Sequence, residues 1–329
     1  MKSISEVEVY QSGRKTDSDL IIMPKYNESS SVNILRLQIG DICCALEIID
    51  VEVYDWFKRL YHEYETEQPP DVTIQLEATD RLNPEKLENS VFKSKFMQWR
   101  GRNFKTTHGI MSGSFEPEHR LIKIKAEKML GNPELKINHL NRLITLAYYT
   151  GCKLKYDNKP PAMFVHSCGI LRHGQVILFT GPSEVGKTTV ARLCGERDGE
   201  VINDEMVLVH RPGVSGNGIY VQSTPVLGTF LPGRRLLAPL RCVFFLKKAD
   251  KTQAHPMSKT DVYTKLLRQI ISPACIGQKD KKSIYTMMAD FSAEVARTVP
   301  AYELEFQLDA GSLWRTVGDI EETSSSKET

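Results

Sequence analysis

The sequence predicts an α/β protein: a mixed, partly antiparallel sheet around a phosphate-gripping loop, preceded by a small α+β module. Three observations carry this prediction. The apolar run Val176 to Thr180 ends in Gly181-Pro182-Ser183-Glu184-Val185-Gly186-Lys187-Thr188, followed by Val190, Ala191, Leu193 and Cys194 at positions that pack one side of a helix. This is the strand–loop–helix order in which a Gly-x-x-x-x-Gly-Lys-Ser/Thr loop works. A second apolar stretch, Val201 to Val209, is interrupted by Asp204 and Glu205. Ahead of both lie short apolar runs and one amphipathic helical stretch, the pattern of a separate small module.

The elements follow in order. Residues 1–18 are polar and expected to be flexible. Leu20 to Met23 and Val32 to Ile39 read as strands, Gly40-Asp41 as a turn, and Ile42 to Ile48 as the second arm of a hairpin. Asp50 to Tyr64 reads as a helix capped by Asp50, with Val53, Phe57, Leu60 and Tyr64 on one face and Pro69-Pro70 beyond its end. Val72 to Leu76 alternates as a strand. Residues 78–136 are less regular, and Phe92 to Phe104, rich in Lys and Arg, reads more simply as a solvated amphipathic surface than as a partner-docking patch. Asn138 to Tyr149 reads as a helix ended by Gly151, and Asp157 to Pro161 as a linker. Downstream, helices are expected from Thr260 to Pro273 and from Ile284 to Val299, then a strand from Ala301 to Leu308. The expected division is a flexible 1–18, an accessory α+β domain at 19–157, the nucleotide domain at 158–312 and a disordered tail at 313–329.

Bulk properties exclude several classes of function. The 329 residues hold 41% hydrophobic and 26% charged side chains, with a formal charge of +2, so no net field draws the chain to nucleic acid or to a membrane. The seven cysteines are irregularly spaced and lack Cys-x-x-Cys, which suits reduced thiols rather than a disulfide frame or a zinc site. Met1 to Lys15 lacks the apolar core of a signal peptide, and no run reaches the ~18 apolar residues of a membrane span. The expected address is the cytoplasm, with no nucleic-acid or membrane partner. Composition leaves homo-oligomerisation open.

The loop explains its own chemistry. Gly181 and Gly186 permit backbone turns that a side chain would obstruct, so successive amides can face phosphate oxygens. Pro182, Ser183, Glu184, Val185 and Thr189 complete the segment expected to line the nucleotide. Lys187 is expected to reach the β- and γ-phosphates of ATP, and the Thr188 hydroxyl to ligate Mg2+. One short helix and a return bring Asp204 back toward Lys187. The acids sit at a bend or on a strand crossing the site, where one carboxylate can hold Mg2+ and the other can take a proton from an attacking hydroxyl. A solvated turn at Asn203 is the plainer alternative.

The segments His166-Ser167-Cys168-Gly169, Gly174 to Thr180, Gly181 to Thr189 and Gly199 to Glu205 together resemble the catalytic domain of HPr kinase/phosphorylase and its relatives, whose fold is similar to the nucleotide domain of phosphoenolpyruvate carboxykinase. The resemblance is good over roughly 162–210. It weakens through 219–250, where Val221 to Pro225 and the strand Arg241 to Leu246 fall where that family continues its sheet. The N-terminal 155 residues look more like divergent HPr-kinase-related proteins linked to peptide-modification pathways. The resemblance implies a serine kinase using Mg-ATP, with Asp204 as the general base. Glu205 stands where a second Asp is usual, Thr189 where Glu is frequent after the loop, and His166 matches a histidine near the active site. The features tied to the reverse, phosphate-removing reaction are not recognisable, so neither that activity nor HPr as substrate is carried over.

The expected function is transfer of the γ-phosphoryl group of ATP to a serine of a protein or peptide, with Asp204, Lys187 and His166 as catalytic residues and Thr188, Asp204 and Glu205 around the metal. A hydrogen-bonded edge histidine is the plainer reading of His166. Arg234 and Arg235, after Pro232-Gly233, read more simply as a solvated basic turn than as charge stabilisers. A non-catalytic ATP-binding partner is the main rival, and a switch NTPase would need a water-orienting residue that the sequence does not identify.

Overall fold

Alternation in Leu35, Leu37 and Ile39 turns one face of the first strand inward. That strand, β1 (Asn33–Ile39), pairs with β2 (Ile42–Ile48) as the expected hairpin. A computed structural model of the chain describes residues 32–49, 51–79, 92–93, 97–100, 102–106, 111–127, 133–157, 159–195, 198–213, 218–272 and 281–325. The strand expected at Leu20 to Met23 and the cap expected at Asp50 lie outside these residues.

Helix α1 (Val51–Tyr61) runs into a 3-10 turn, His62–Tyr64, and buries Val53, Phe57, Leu60 and Tyr64, the face that the spacing predicted. Strand β3 (Val72–Thr79) lies parallel to β2. The stretch expected as a solvated amphipathic surface folds into β4 (Phe92–Lys93), β5 (Met97–Arg100) and β6 (Asn103–Thr106), with Asn103 exposed and Phe104 buried. With β7 (Met111–Glu116) and β8 (Leu121–Glu127) these form an antiparallel meander, and β8 returns parallel to β3. Phe104, 2% exposed, turns the meander's inner face to the core. The resulting sheet is mixed, with order β1-β2-β3-β8-β7-β6-β5-β4.

Helix α2 (Pro133–Tyr156) is longer than expected. Gly151 does not end it: a Cβ there would lie 2.3 Å from Cγ2 of Ile42, so the glycine allows the helix to approach β2 closely. The next strand is also longer than its apolar stretch suggested. Strand β9 (Ala162–Arg172) continues through Gly169 to the His173-Gly174 turn, then pairs back with β10 (Gln175–Thr180).

The second sheet is completed by β11 (Glu200–Asn203), β12 (Met206–His210), β13 (Tyr220–Gln222), β14 (Leu237–Lys248), β15 (Gln253–Pro256) and β16 (Ala301–Phe306). Its order is β10-β9-β12-β13-β14-β16-β15, with β11 on β9 and β14 also parallel to β10. The path from β10 through β9, β12, β13 and β14 therefore returns to β10. Four helices accompany it: α3 (Lys187–Leu193), α4 (Lys259–Leu267), α5 (Lys281–Thr298) and α6 (Ala310–Ser325). The fold is thus mixed α/β, with two mixed sheets and six α-helices among the described residues.

Two boundaries correct the sequence reading. Helix α4 stops at Leu267 instead of running to Pro273, because the chain leaves it to extend the edge of β9: Gln269 O accepts from His166 N (2.8 Å) and Ile271 N donates to Phe164 O (2.9 Å). The tail expected to be disordered from 313 is helix α6. Leu313, Trp314 and Val317 are buried beside Phe179, and Trp314 Nε1 donates to Leu193 O at 2.8 Å. Burial of an aliphatic side chain of this size contributes about 1.5–3 kcal/mol, so these contacts favour the docked helix. No helix among the described residues is long and apolar enough to cross a membrane.

Core packing crosses the expected domain boundary. One apolar cluster joins β1, β2, α1 and α2 to Ala162, Phe164, Leu208, Val226 and Leu227. The described cysteines are free thiols, most of them buried.

Candidate functional site

Strand β10 is held on both edges, by β9 and by β14. The loop that leaves its end, Gly181–Thr188, therefore starts from a fixed point, and Thr180 Oγ1 adds a bond to His166 O at 2.9 Å. Three residues of the loop have positive φ: Gly181 (150°), Glu184 (64°) and Gly186 (120°). At Gly186 a Cβ would also lie 2.6 Å from Cζ of Phe306, so conformation and space both demand glycine. Pro182, Ser183 and Glu184 are exposed, while Thr188 and Thr189 are half-buried.

Lys187 opens α3 but curls back across the loop. It is 7% exposed, and its Nζ donates to Gly181 O and Pro182 O, both at 3.1 Å. Burial lowers its pKa, and the nearby Glu205 charge acts in the opposite direction. Since α3 has only seven residues, the loop amides and Lys187 are the main anion-attracting groups here.

The acidic residues sit at a bend between two strands, one of the two placements that the apolar pattern suggested. Strands β11 and β12 pair with different parts of β9, and Asp204 and Glu205 lie between the Asn203–Gly169 and Met206–His166 partners. Asn203 makes this bend. It is 4% exposed, its Oδ1 accepts from the amides of Glu205 and Met206 (2.8 Å each), and its Nδ2 donates to Thr224 O (3.4 Å) and Val226 O (2.8 Å). An asparagine that bonds the backbone two and three residues ahead forms a local turn without a glycine.

Asp204 faces the loop. Thr188 Oγ1 donates to its Oδ2 at 3.3 Å, Thr229 N donates to the same oxygen at 3.2 Å, and Phe230 N donates to Oδ1 at 3.3 Å. The side chain is 2% exposed, and burial raises its pKa while the two amides pull it down. Glu205 has a different partner: its Oε1 lies 3.7 Å from His166 Nε2, and both side chains remain partly open to solvent.

A strap, residues 223–230, covers Asp204. At Gly228 a Cβ would stand 1.9 Å from Asp204 Oδ1, so any other residue would collide with the carboxylate that packs against this glycine. The strap is held from below by Thr224 Oγ1, which donates to Met206 O at 2.6 Å, and by Asn203. It is also held from α2: Asn141 Nδ2 donates to Leu227 O and Leu227 N donates to Asn141 Oδ1, each at 2.7 Å.

The structure therefore joins Thr188 to Asp204 and sets His166 beside Glu205, whose charge also reaches Lys187. Arg234 is engaged elsewhere: its guanidinium bonds Glu200 at 3.1 Å on the exposed surface, and Arg235 is exposed. Sequence reasoning missed Asn141 and the strap. The available signal was a polar Asn141 amid Leu140, Leu143 and Ile144 on a helical face, since a polar group at a core position must find a partner.

Residues 141–322 match the family described as SynChlorMet cassette protein ScmC. The match begins at Asn141, takes in the Gly181–Thr188 loop, the acidic bend and the strap, and ends within α6. Among curated proteins, none matches the chain. Because the matched segment exceeds half of the 329 residues, the chain belongs to the SynChlorMet cassette protein ScmC family.

Proposed function

We propose that this chain is a Mg-ATP-dependent kinase, similar in its nucleotide domain to HPr kinase and phosphoenolpyruvate carboxykinase, that transfers the γ-phosphoryl group to a serine hydroxyl of a protein or peptide. The observation that carries the reading is the 3.3 Å contact between Thr188 Oγ1 and Asp204 Oδ2, which joins the loop to the acidic bend. In ATP-binding loops of this pattern the hydroxyl after the lysine and a carboxylate from a neighbouring strand meet around the metal.

The donor set fits magnesium. A hydroxyl and a carboxylate are hard oxygen ligands, and magnesium is commonly held by one or two carboxylates together with substrate phosphates. Thr188 and Asp204 would hold it, and when bound it supplies charge neutralisation on the β- and γ-phosphates. The chain's own groups do the rest. Loop N–H groups from Ser183 to Thr188 bind phosphate oxygens. Lys187 exchanges Gly181 O and Pro182 O for phosphate oxygens, which gives its buried charge a stronger partner. Asp204 would take the serine proton, its oxygens being oriented by the Thr229 and Phe230 amides. His166 and Glu205 are partly open to solvent and so available to an incoming acceptor.

The Lys187→Ala variant tests this reading. It should lose labelled-phosphate transfer to below a hundredth of wild type while still unfolding in a cooperative thermal transition. Full activity in that variant would end the proposal. The first acceptors to try are the other products of the cassette named in the family's description.

A second reading, a non-catalytic ATP-binding partner, draws on the 2% exposure of Asp204. It predicts nucleotide binding without transfer to any cassette product.

A further inference from the structure

Residues from two parts of the chain meet at the strap. On one side, Gly228, Thr229 and Phe230 hold Asp204, through two amide hydrogen bonds and a contact that only glycine allows. On the other, Val226 and Leu227 are 0% and 2% exposed and belong to the apolar cluster built mainly from β1, β2, α1 and α2. Between the two ends, Asn141 of α2 pairs with both backbone polar groups of Leu227.

This pairing is strong in kind. Asn141 is 3% exposed, and its amide presents one donor and one acceptor to Leu227 as a neighbouring strand would. Removing the side chain would leave a buried N–H and a buried C=O unpaired in a place that water does not reach easily. Leu227 is one residue from Gly228 and two from Thr229, so a shift of its backbone passes directly to the groups on Asp204. Helix α2 in turn packs on β2 and β3, and Lys155 and Tyr156 near its end bond Asp41 and Asp71 beside β2. A rigid helix thus joins the first sheet to the strap.

We propose that Asn141 is a positioning residue for Asp204, acting through the 223–230 strap, and that the strap conveys the placement of the N-terminal module to the phosphate-binding site. In its effect on transfer the proposal rests on the kinase reading; in its structural part it does not. Asn141 is buried behind the strap and bonded to the Leu227 backbone. It fixes where the Thr229 and Phe230 amides stand, and these fix which way the Asp204 oxygens face. The N-terminal module then acts on the reaction without contributing a group to the site, and a ligand that moves α2 would change the turnover rate rather than nucleotide affinity.

The experiment compares wild type, Asn141→Leu, Asp204→Asn and the double variant in the full-length chain. Two quantities are read: amide hydrogen exchange at residues 227–230, and steady-state transfer with ATP as the varied substrate. In Asn141→Leu, exchange at Thr229 and Phe230 should quicken at least tenfold while β9 and β10 stay protected. The kcat should fall at least tenfold with the KM for ATP within about twofold of wild type. The double variant should transfer no more slowly than Asp204→Asn alone, because the two residues act in one chain of contacts. Unchanged exchange at Thr229 and Phe230, or a double variant whose loss is the product of the two single losses, would overturn the proposal. Asn141→Ala serves as the second variant should the leucine not fit. Failure of both to fold would reduce Asn141 to a core residue and overturn the positioning role. If wild type transfers no phosphate, the kinase reading fails separately, and the exchange data alone support or overturn the hold of Asn141 on the strap.

Discussion

Asp204 and Glu205 are neighbours in sequence with opposite surroundings. The Asp204 side of the bend is enclosed: a hydroxyl and two amides reach the carboxylate, and the strap excludes solvent. Glu205 is partly open to solvent, with a longer contact to His166 and a charge that also reaches Lys187. The difference shows how two adjacent carboxylates can be given separate tasks by their surroundings. A carboxylate with fixed oxygens suits a role that depends on orientation, such as metal binding or proton acceptance along one line. A partly solvated carboxylate beside a histidine suits contact with an incoming substrate, where side-chain freedom costs less.

The comparison can be broken most directly at Asp204. Asp204→Asn keeps the shape and at least one acceptor for the strap amides, yet removes the charge. It should lower kcat by ~10^3 or more, beyond the ~10^2–10^4 span typical of one acid–base group only if metal placement is lost as well. Transfer assays with parallel ATP-binding measurements would separate the two losses. Glu205→Gln should cost less, roughly tenfold, and mainly in the KM for the acceptor. A larger loss for Glu205→Gln than for Asp204→Asn would reverse the assignment of roles. The smallest effect is expected past the bend on β12, where His210 is 4% exposed and its Nε2 lies 2.9 Å from Gln222 Oε1. Burial lowers the pKa of His210, while Gln222 and the Asp41 charge partly oppose that shift. The sign follows from linkage: a depressed histidine favours the neutral form in the folded state, so its stabilisation is present above about pH 6.5 and is lost as the pH falls through the lower folded value. Melting temperatures from pH 7 to pH 5 should fall in wild type and fall less in His210→Gln.

The degree to which each part was legible in the sequence follows the distance over which it is specified. The Gly181–Thr188 loop is local: its glycines, lysine and threonine lie within eight residues, and β10 ahead of it is an unbroken apolar run. The acidic bend was legible because two charges interrupt an apolar pattern, and Asn203 is a turn-forming residue. The meander β4–β8 was not, because its strands are short and hydrophilic and gain their order only by pairing with one another. Helix α6 was hidden by a serine-rich end, though Leu313, Trp314 and Val317 repeat at helical spacing and bury against β10. The strap was least legible of all. Its shape depends on Asn141, 86 residues from Leu227 in the chain, and no local pattern encodes a partner so distant.

The double edge of β10 bears on how the chain is made. One partner, β9, is already synthesised when β10 emerges, but the other, β14, begins at Leu237. At ribosomal speeds of ~5–20 residues per second, that partner arrives roughly 3–13 s later, and α6, whose tryptophan covers Phe179, later still. Throughout that interval the run Val-Ile-Leu-Phe offers a bare hydrogen-bonding edge to any other unfinished chain nearby. Translation pace and chaperone supply, more than the strength of the finished core, should then govern how much of this protein a cell or an expression host recovers intact.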